Sequence, residues 1–208
     1  QTCALPICPP LNRAALDALR ARQIDVREPP PGGAGLTIDF AAVATTMTEA
    51  ETKSLLQPLV EHIADLGLAR VPVGDELCAL CSRMPSLVRL DLRKTQVTTQ
   101  GVQRLAGLTQ LKELVLAQTR LDDQAVDAIL TLPALTKVYV WNSGLANEAI
   151  ARLRQKQGLT VDAGDTPPAK ALEVEGELKF VNELPLPGQK PPPPEVAAAL
   201  QPVNDVRS

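Results

Sequence analysis

The sharpest chemical motif in this 208-residue chain is Cys78-Ala79-Leu80-Cys81. A CxxC pair can cycle between dithiol and disulfide, supply half of a zinc site, or attach haem when His follows. Ser82 stands where haem attachment requires His, and there is no second CxxC to complete a zinc site. His62 is the only histidine, so a histidine-based triad or a multi-histidine metal site lacks its raw material. The chain has no glycine-rich phosphate loop, GxSxG elbow or HExxH pair. No enzymatic activity, cofactor or metal is expected, and a redox or metal site at Cys78/Cys81 is the alternative to weigh against a binding role.

The elements that position the two cysteines bear on that choice. Cys78 falls 24 residues before Val102, in a column continued by Val126 and Ile150, while Cys81 aligns with Leu105, Ile129 and Leu153. Both thiols thus occupy aliphatic core columns, where free cysteine behaves as a small buried hydrophobe. The same step aligns Ile63, Leu87, Leu111 and Leu135; Leu66, Leu90, Leu114 and Val138; Leu68, Leu92, Leu116 and Val140; and Val73, Val97, Leu121 and Leu145. A fixed period of this size predicts a leucine-rich repeat, each unit being one strand and one helix that bury their apolar faces on their neighbours. The expected fold is α/β, a leucine-rich-repeat solenoid shaped as a short horseshoe. Its parallel sheet lines the concave face and its helices lie on the convex face, with strands beginning near Ile63, Leu87, Leu111 and Leu135. In the third unit Leu111–Leu116 is the predicted strand, and residues 122–132 form the predicted helix with Asp122 or Asp123 as N-cap.

Residues 1–10 form a start to which no function is assigned. Cys3-Ala4-Leu5-Pro6-Ile7 resembles a translated sequencing adapter, and a fragment of a longer gene is expected. Residues 11–62 are read as irregular N-terminal repeats forming a cap. This region holds a helix over Asn12–Arg22, a strand at Ile24–Val26, alternation over Leu36–Phe40, and a helix from Thr48 whose start pairs Thr48 with Glu51 as a capping box. Residues 63–162 are the regular repeats, 163–184 a C-terminal cap with strand-like alternation around Leu178 and Phe180, and 185–208 a proline-rich linker.

A formal net charge of -3, from 21 basic and 24 acidic residues, removes the electrostatic footprint of a nucleic-acid binder. The chain lacks the run of about 18 apolar residues that a spanning helix needs. On the outward side of the strands, Asp65, Arg89, Glu113 and Lys137 share a column of alternating charge, expected as a cross-strand ion ladder. The next columns hold Gly67, Asp91, Val115 and Tyr139, then Ala69, Arg93, Ala117 and Trp141. Arginine and aromatic side chains gathered on one face are typical of interface hot spots. Arg93, Tyr139 and Trp141 are therefore the expected partner-binding residues, with Asp91, Val115 and Ala117 completing the patch. The competing reading packs Tyr139 and Trp141 beneath the segment around Leu178 and Phe180. Thr95, Thr119 and Ser143 are expected to bond backbone groups in the turns.

The stretch from Leu87 through Leu90, Leu92, Thr95 and Gly101 to Val102, together with Val138-Tyr139-Val140-Trp141-Asn142-Ser143, resembles bacterial leucine-rich repeats of the ribonuclease-inhibitor-like type. More narrowly, it resembles the repeat tail of bacterial inner-membrane proteins that carry a c-type cytochrome domain. The resemblance covers about residues 11–180. It implies a non-enzymatic protein-interaction module of a larger protein, periplasmic or membrane-tethered, with a protein or peptide as partner, another domain of the same polypeptide included. A purely structural spacer is a further alternative. That family binds haem through CxxCH in a separate domain, so haem is assigned to no residue of this chain.

Overall fold

In the computed structural model, which describes residues 11–29 and 35–164, the chain forms an α/β fold with six helices and a seven-stranded, mostly parallel sheet. The order is α1 (Arg13–Ala21), β1 (Asp25–Arg27), β2 (Leu36–Asp39), α2 (Glu49–Leu56), β3 (Ile63–Gly67), α3 (Asp75–Cys81), β4 (Arg89–Asp91), α4 (Thr99–Arg104), β5 (Glu113–Val115), α5 (Ala125–Thr131), β6 (Lys137–Tyr139), α6 (Asn147–Arg154) and β7 (Thr160–Asp162). The strands lie in chain order across the sheet, and from β2 onward every neighbour is parallel. The proposed start at 1–10, the strand-like segment around Leu178 and Phe180, and the proline-rich 185–208 lie outside the described residues.

Register follows the 24-residue step. Leu66, Leu90, Leu114 and Val138 stand opposite one another on β3 to β6 and are all buried. The strands themselves are shorter than the aligned leucines suggest. β4, β5 and β6 begin at Arg89, Glu113 and Lys137, two residues after the expected starts, because Leu87, Leu111 and Leu135 enter the core from the preceding loop. β7 adds a parallel strand beyond the four expected in the regular repeats, reached by a step shortened to pair Thr160 with Lys137. At the other end β1 runs antiparallel to β2, so residues 11–29 do not repeat the parallel plan.

Helix boundaries follow local chemistry. Asn12 caps α1 through its side chain, and Thr48 and Glu51 form the capping box of α2. Pro58 then tightens the chain into a short 3-10 turn. For α5 the expectation of an aspartate cap fails: the helix starts at Ala125 after Gln124, and neither Asp122 nor Asp123 occupies the cap. Asp122 instead accepts from the Gln124 N–H at 2.9 Å, making a turn before the helix.

Two kinds of bond tie one unit to the next, and a third closes the turn within each unit. Backbone bonds continue past the strands, from Leu68 N–H to the Asp91 carbonyl, Leu92 to Val115 and Leu116 to Tyr139, at 2.8–2.9 Å. Thr95, Thr119 and Ser143 are buried and donate to the carbonyls of Leu92, Leu116 and Val140 at 2.6–2.7 Å, so these hydroxyls staple their own turns, as expected. The second tie between units was not anticipated. Side chains at helix starts accept from backbone N–H groups one unit on: Glu49 from Gly74 and Leu77, Asp75 from Thr98, Thr99 from Asp122 and Asp123 from Ala146. Gly101 makes room for one of these, since a Cβ there would collide with the Asp75 carboxylate. Each such acceptor satisfies a donor that a helix entrance would otherwise leave open.

Candidate functional site

Alternation along β4, β5 and β6 sends Arg89, Asp91, Glu113, Val115, Lys137 and Tyr139 to the same side of the sheet, away from the leucine columns. The ladder column forms in part. Arg89 donates to Glu113 at 3.0 Å and lies 3.5 Å from Asp65. Burial raises the pKa of Asp65 against the opposing charge of Arg89. For Arg89, burial by itself would lower the pKa, but the hydrogen bond to Glu113 and the charges of Asp65 and Glu113 carry it upward. The outermost expected member, Lys137, forms no ion pair with a described residue.

The next two columns converge. Arg93, Tyr139 and Trp141 line one groove of about 250 Å³, together with Asp91 and Val115. Arg93 and Trp141 also wall a second groove of about 340 Å³ that runs over Ala69, Arg70, Lys94 and Gln118. Tyr139 and Trp141 are half-buried and Arg93 is exposed. Gly164, in the left-handed region at φ +81°, brings the chain after β7 against Trp141; a Cβ on it would come within 2.9 Å of the Trp141 Cβ. Leu178 and Phe180, the alternative cover for Trp141, lie outside the described residues.

No protein-family model matches the chain, and no curated protein matches it.

Three of the six patch residues show little surface. Ala117 is wholly inaccessible, and Asp91 and Val115 are 4% and 6% exposed, so none of them presents appreciable surface to a partner. The alternation does turn them outward, yet all three are nearly inaccessible. Asp91 has a different task. One carboxylate oxygen accepts the Arg93 N–H at 3.0 Å and the other takes the Arg93 guanidinium at 2.7 Å. Asp91 thereby shapes the turn leaving β4 and fixes the direction of Arg93, acting through that residue as a positioning group. The turn recurs where Asp39 accepts from Ala41 and Asp162 from Gly164. An aspartate at the last position of a strand, two residues before the N–H it accepts, was the sequence signal for it.

The loop residue after each strand exit was also missed. Arg70, Lys94, Gln118 and Asn142, spaced by the 24-residue step, all adopt left-handed backbone with φ of 67°, 57°, 57° and 52°. Such angles are uncommon outside glycine, and of these four only asparagine favours them. The first three are held by bonds from their N–H groups to the carbonyls of Arg93, Ala117 and Trp141 at 2.8–3.0 Å.

Cys78 and Cys81 are free and buried within α3. Burial pushes the Cys78 thiol up to about 12, with Asp75 adding to the effect, and burial likewise raises Cys81. Thiolate, the reactive and metal-binding form, is therefore disfavoured at both positions. Among the described residues no three His, Cys, Asp or Glu side chains converge as a metal site, and no helix is long and apolar enough to cross a membrane.

Proposed function

We propose that the chain is a leucine-rich-repeat solenoid, a short horseshoe with its sheet on the concave side, and that it serves as a non-enzymatic protein-interaction module. The observation that carries the proposal is the meeting of Arg93, Tyr139 and Trp141 in one groove on a hydrogen-bonded parallel sheet. Arginine and aromatic anchors on a rigid face supply contact area at low entropic cost. The repeat architecture is supported by leucine columns in 24-residue register on adjacent strands and by acceptors that link each helix entrance to the next unit. Membership of a larger extracytoplasmic, c-type cytochrome-linked protein rests on the sequence resemblance alone. Buried thiols with raised pKa values speak against a redox or metal role for Cys78 and Cys81.

Selection of a random peptide library on the immobilised 208-residue chain tests the proposal. Peptides enriched by the wild type should bind Trp141→Ala about thirtyfold more weakly, the equivalent of about 2 kcal/mol for a truncated aromatic anchor. Unchanged circular dichroism in that variant must accompany the loss. Enriched peptides indifferent to Trp141→Ala would place binding elsewhere.

A further inference from the structure

Building on the interaction face proposed above, we infer that its second groove receives an extended acidic segment of a partner protein, with carboxylates held by Arg70 and Lys94 and an apolar side chain beside Trp141. The groove is lined by three cations, Arg70, Arg93 and Lys94, and by no carboxylate. This concentration runs against the balance of a chain whose net charge is -3. Arg93 is neutralised by Asp91, but the other two are not. Arg70 gives one N–H to the Ala41 carbonyl at 3.5 Å and has no ion pair with a described residue. Lys94 is exposed and has neither a side-chain hydrogen bond nor an ion pair among the described residues.

Backbone geometry fixes where the two uncompensated side chains leave the chain. Both stand on left-handed residues, and their N–H groups are bonded to the Arg93 and Ala117 carbonyls at 2.8 and 3.0 Å. They leave corresponding points of neighbouring units, whose strands lie roughly 4.8 Å apart, so one short ligand can reach both side chains. Charge-assisted bonds to carboxylates reward that arrangement, and Trp141 supplies the apolar wall on which one neighbouring side chain can pack. A long polyanion fits less well. Asp65 and Glu113 carry negative charge on the same sheet face, while nucleic-acid binding draws on many cations in a row.

The test uses the full chain and a synthetic peptide, Glu-Ser-Glu-Leu-Glu-Ser-Glu, with the same peptide carrying Gln for every Glu as control. Binding is read from the fluorescence of Trp141, the sole tryptophan. At low ionic strength the acidic peptide should bind saturably and at least about tenfold tighter than its glutamine counterpart. Arg70→Gln/Lys94→Gln should weaken it about tenfold more, whereas Lys112→Gln, in the separate groove at the opposite ends of the strands, should leave it unchanged. If the double variant lost its native circular dichroism, Lys94→Gln alone would serve, because that side chain bonds to no described residue. Equal affinity for the two peptides, absence of binding by either, or insensitivity to the cation substitutions would overturn the inference. Tighter binding of an oligothymidylate than of the acidic peptide would overturn it in favour of nucleic acid. None of these outcomes touches the broader interaction proposal, which fails only if library selection proves independent of Trp141.

Discussion

Arg93→Ala should cost stability as well as binding. Asp91 keeps only 5% of its side chain exposed while Arg93 keeps 46%, and the two meet at 2.7 Å. A fully exposed pair contributes about 0–1 kcal/mol, whereas breaking a fully buried one costs about 3–5. This pair is buried on one side only, and after truncation the carboxylate still accepts the Arg93 N–H. The expected loss is therefore about 1–2 kcal/mol for Arg93→Ala and about 1–3 for Asp91→Ala, which also removes the turn bond. The double variant should be little worse than Asp91→Ala, leaving a coupling of about 1–2 kcal/mol. Urea unfolding followed by circular dichroism measures all four corners of the cycle, and repetition in high salt should leave most of the coupling in place. A coupling under about 0.3 kcal/mol would mean that solvent screens the pair and that Asp91 does not position Arg93.

Native Cys78 and Cys81 should resist iodoacetamide at pH 8, because burial holds the Cys78 thiol at about 12 and raises Cys81 as well; peptide-resolved mass spectrometry should find both labelled only after unfolding. Rapid native labelling would contradict their burial. Gln118→Val should be at least about 1 kcal/mol less stable than Gln118→Gly in urea, since a left-handed backbone penalises β-branched side chains and favours glycine. Asp75→Ala should cost about 1–3 kcal/mol by thermal and urea unfolding, because its carboxylate takes both the Thr98 N–H at 2.8 Å and the Thr98 hydroxyl at 2.7 Å. A neutral result would mean that water replaces it.

The apolar columns were legible because each core side chain meets its counterpart one unit away, so periodicity in the chain maps directly onto register in the sheet. Cys78 and Cys81 could be placed for the same reason. β7 escaped because its step is one residue short: Val161 pairs with Val138 but follows it by 23 residues, which breaks the 24-residue count. The left-handed residues escaped because Arg70, Lys94 and Gln118 have no intrinsic preference for that backbone; neighbouring carbonyls impose it. Alternation was enough to turn Val115 and Ala117 outward, but how far each is covered depends on the surrounding side chains, which alternation does not describe. Asp75, Thr99 and Asp123 do share a polar column. Since aspartate and threonine commonly cap their own helix, the column did not reveal that they reach across to the next unit.

The reversal of β1 has a consequence for self-association. An edge that continues a parallel stack offers the hydrogen-bonding pattern its own interior uses, which is a template for end-to-end growth of identical copies. β1 offers the opposite polarity, is three residues long, and carries Asp25 and Arg27 joined by an ion pair at 2.7 Å. Short, charged edges discourage strand addition. At this boundary a short, charged strand of reversed direction disfavours the addition of a further parallel strand.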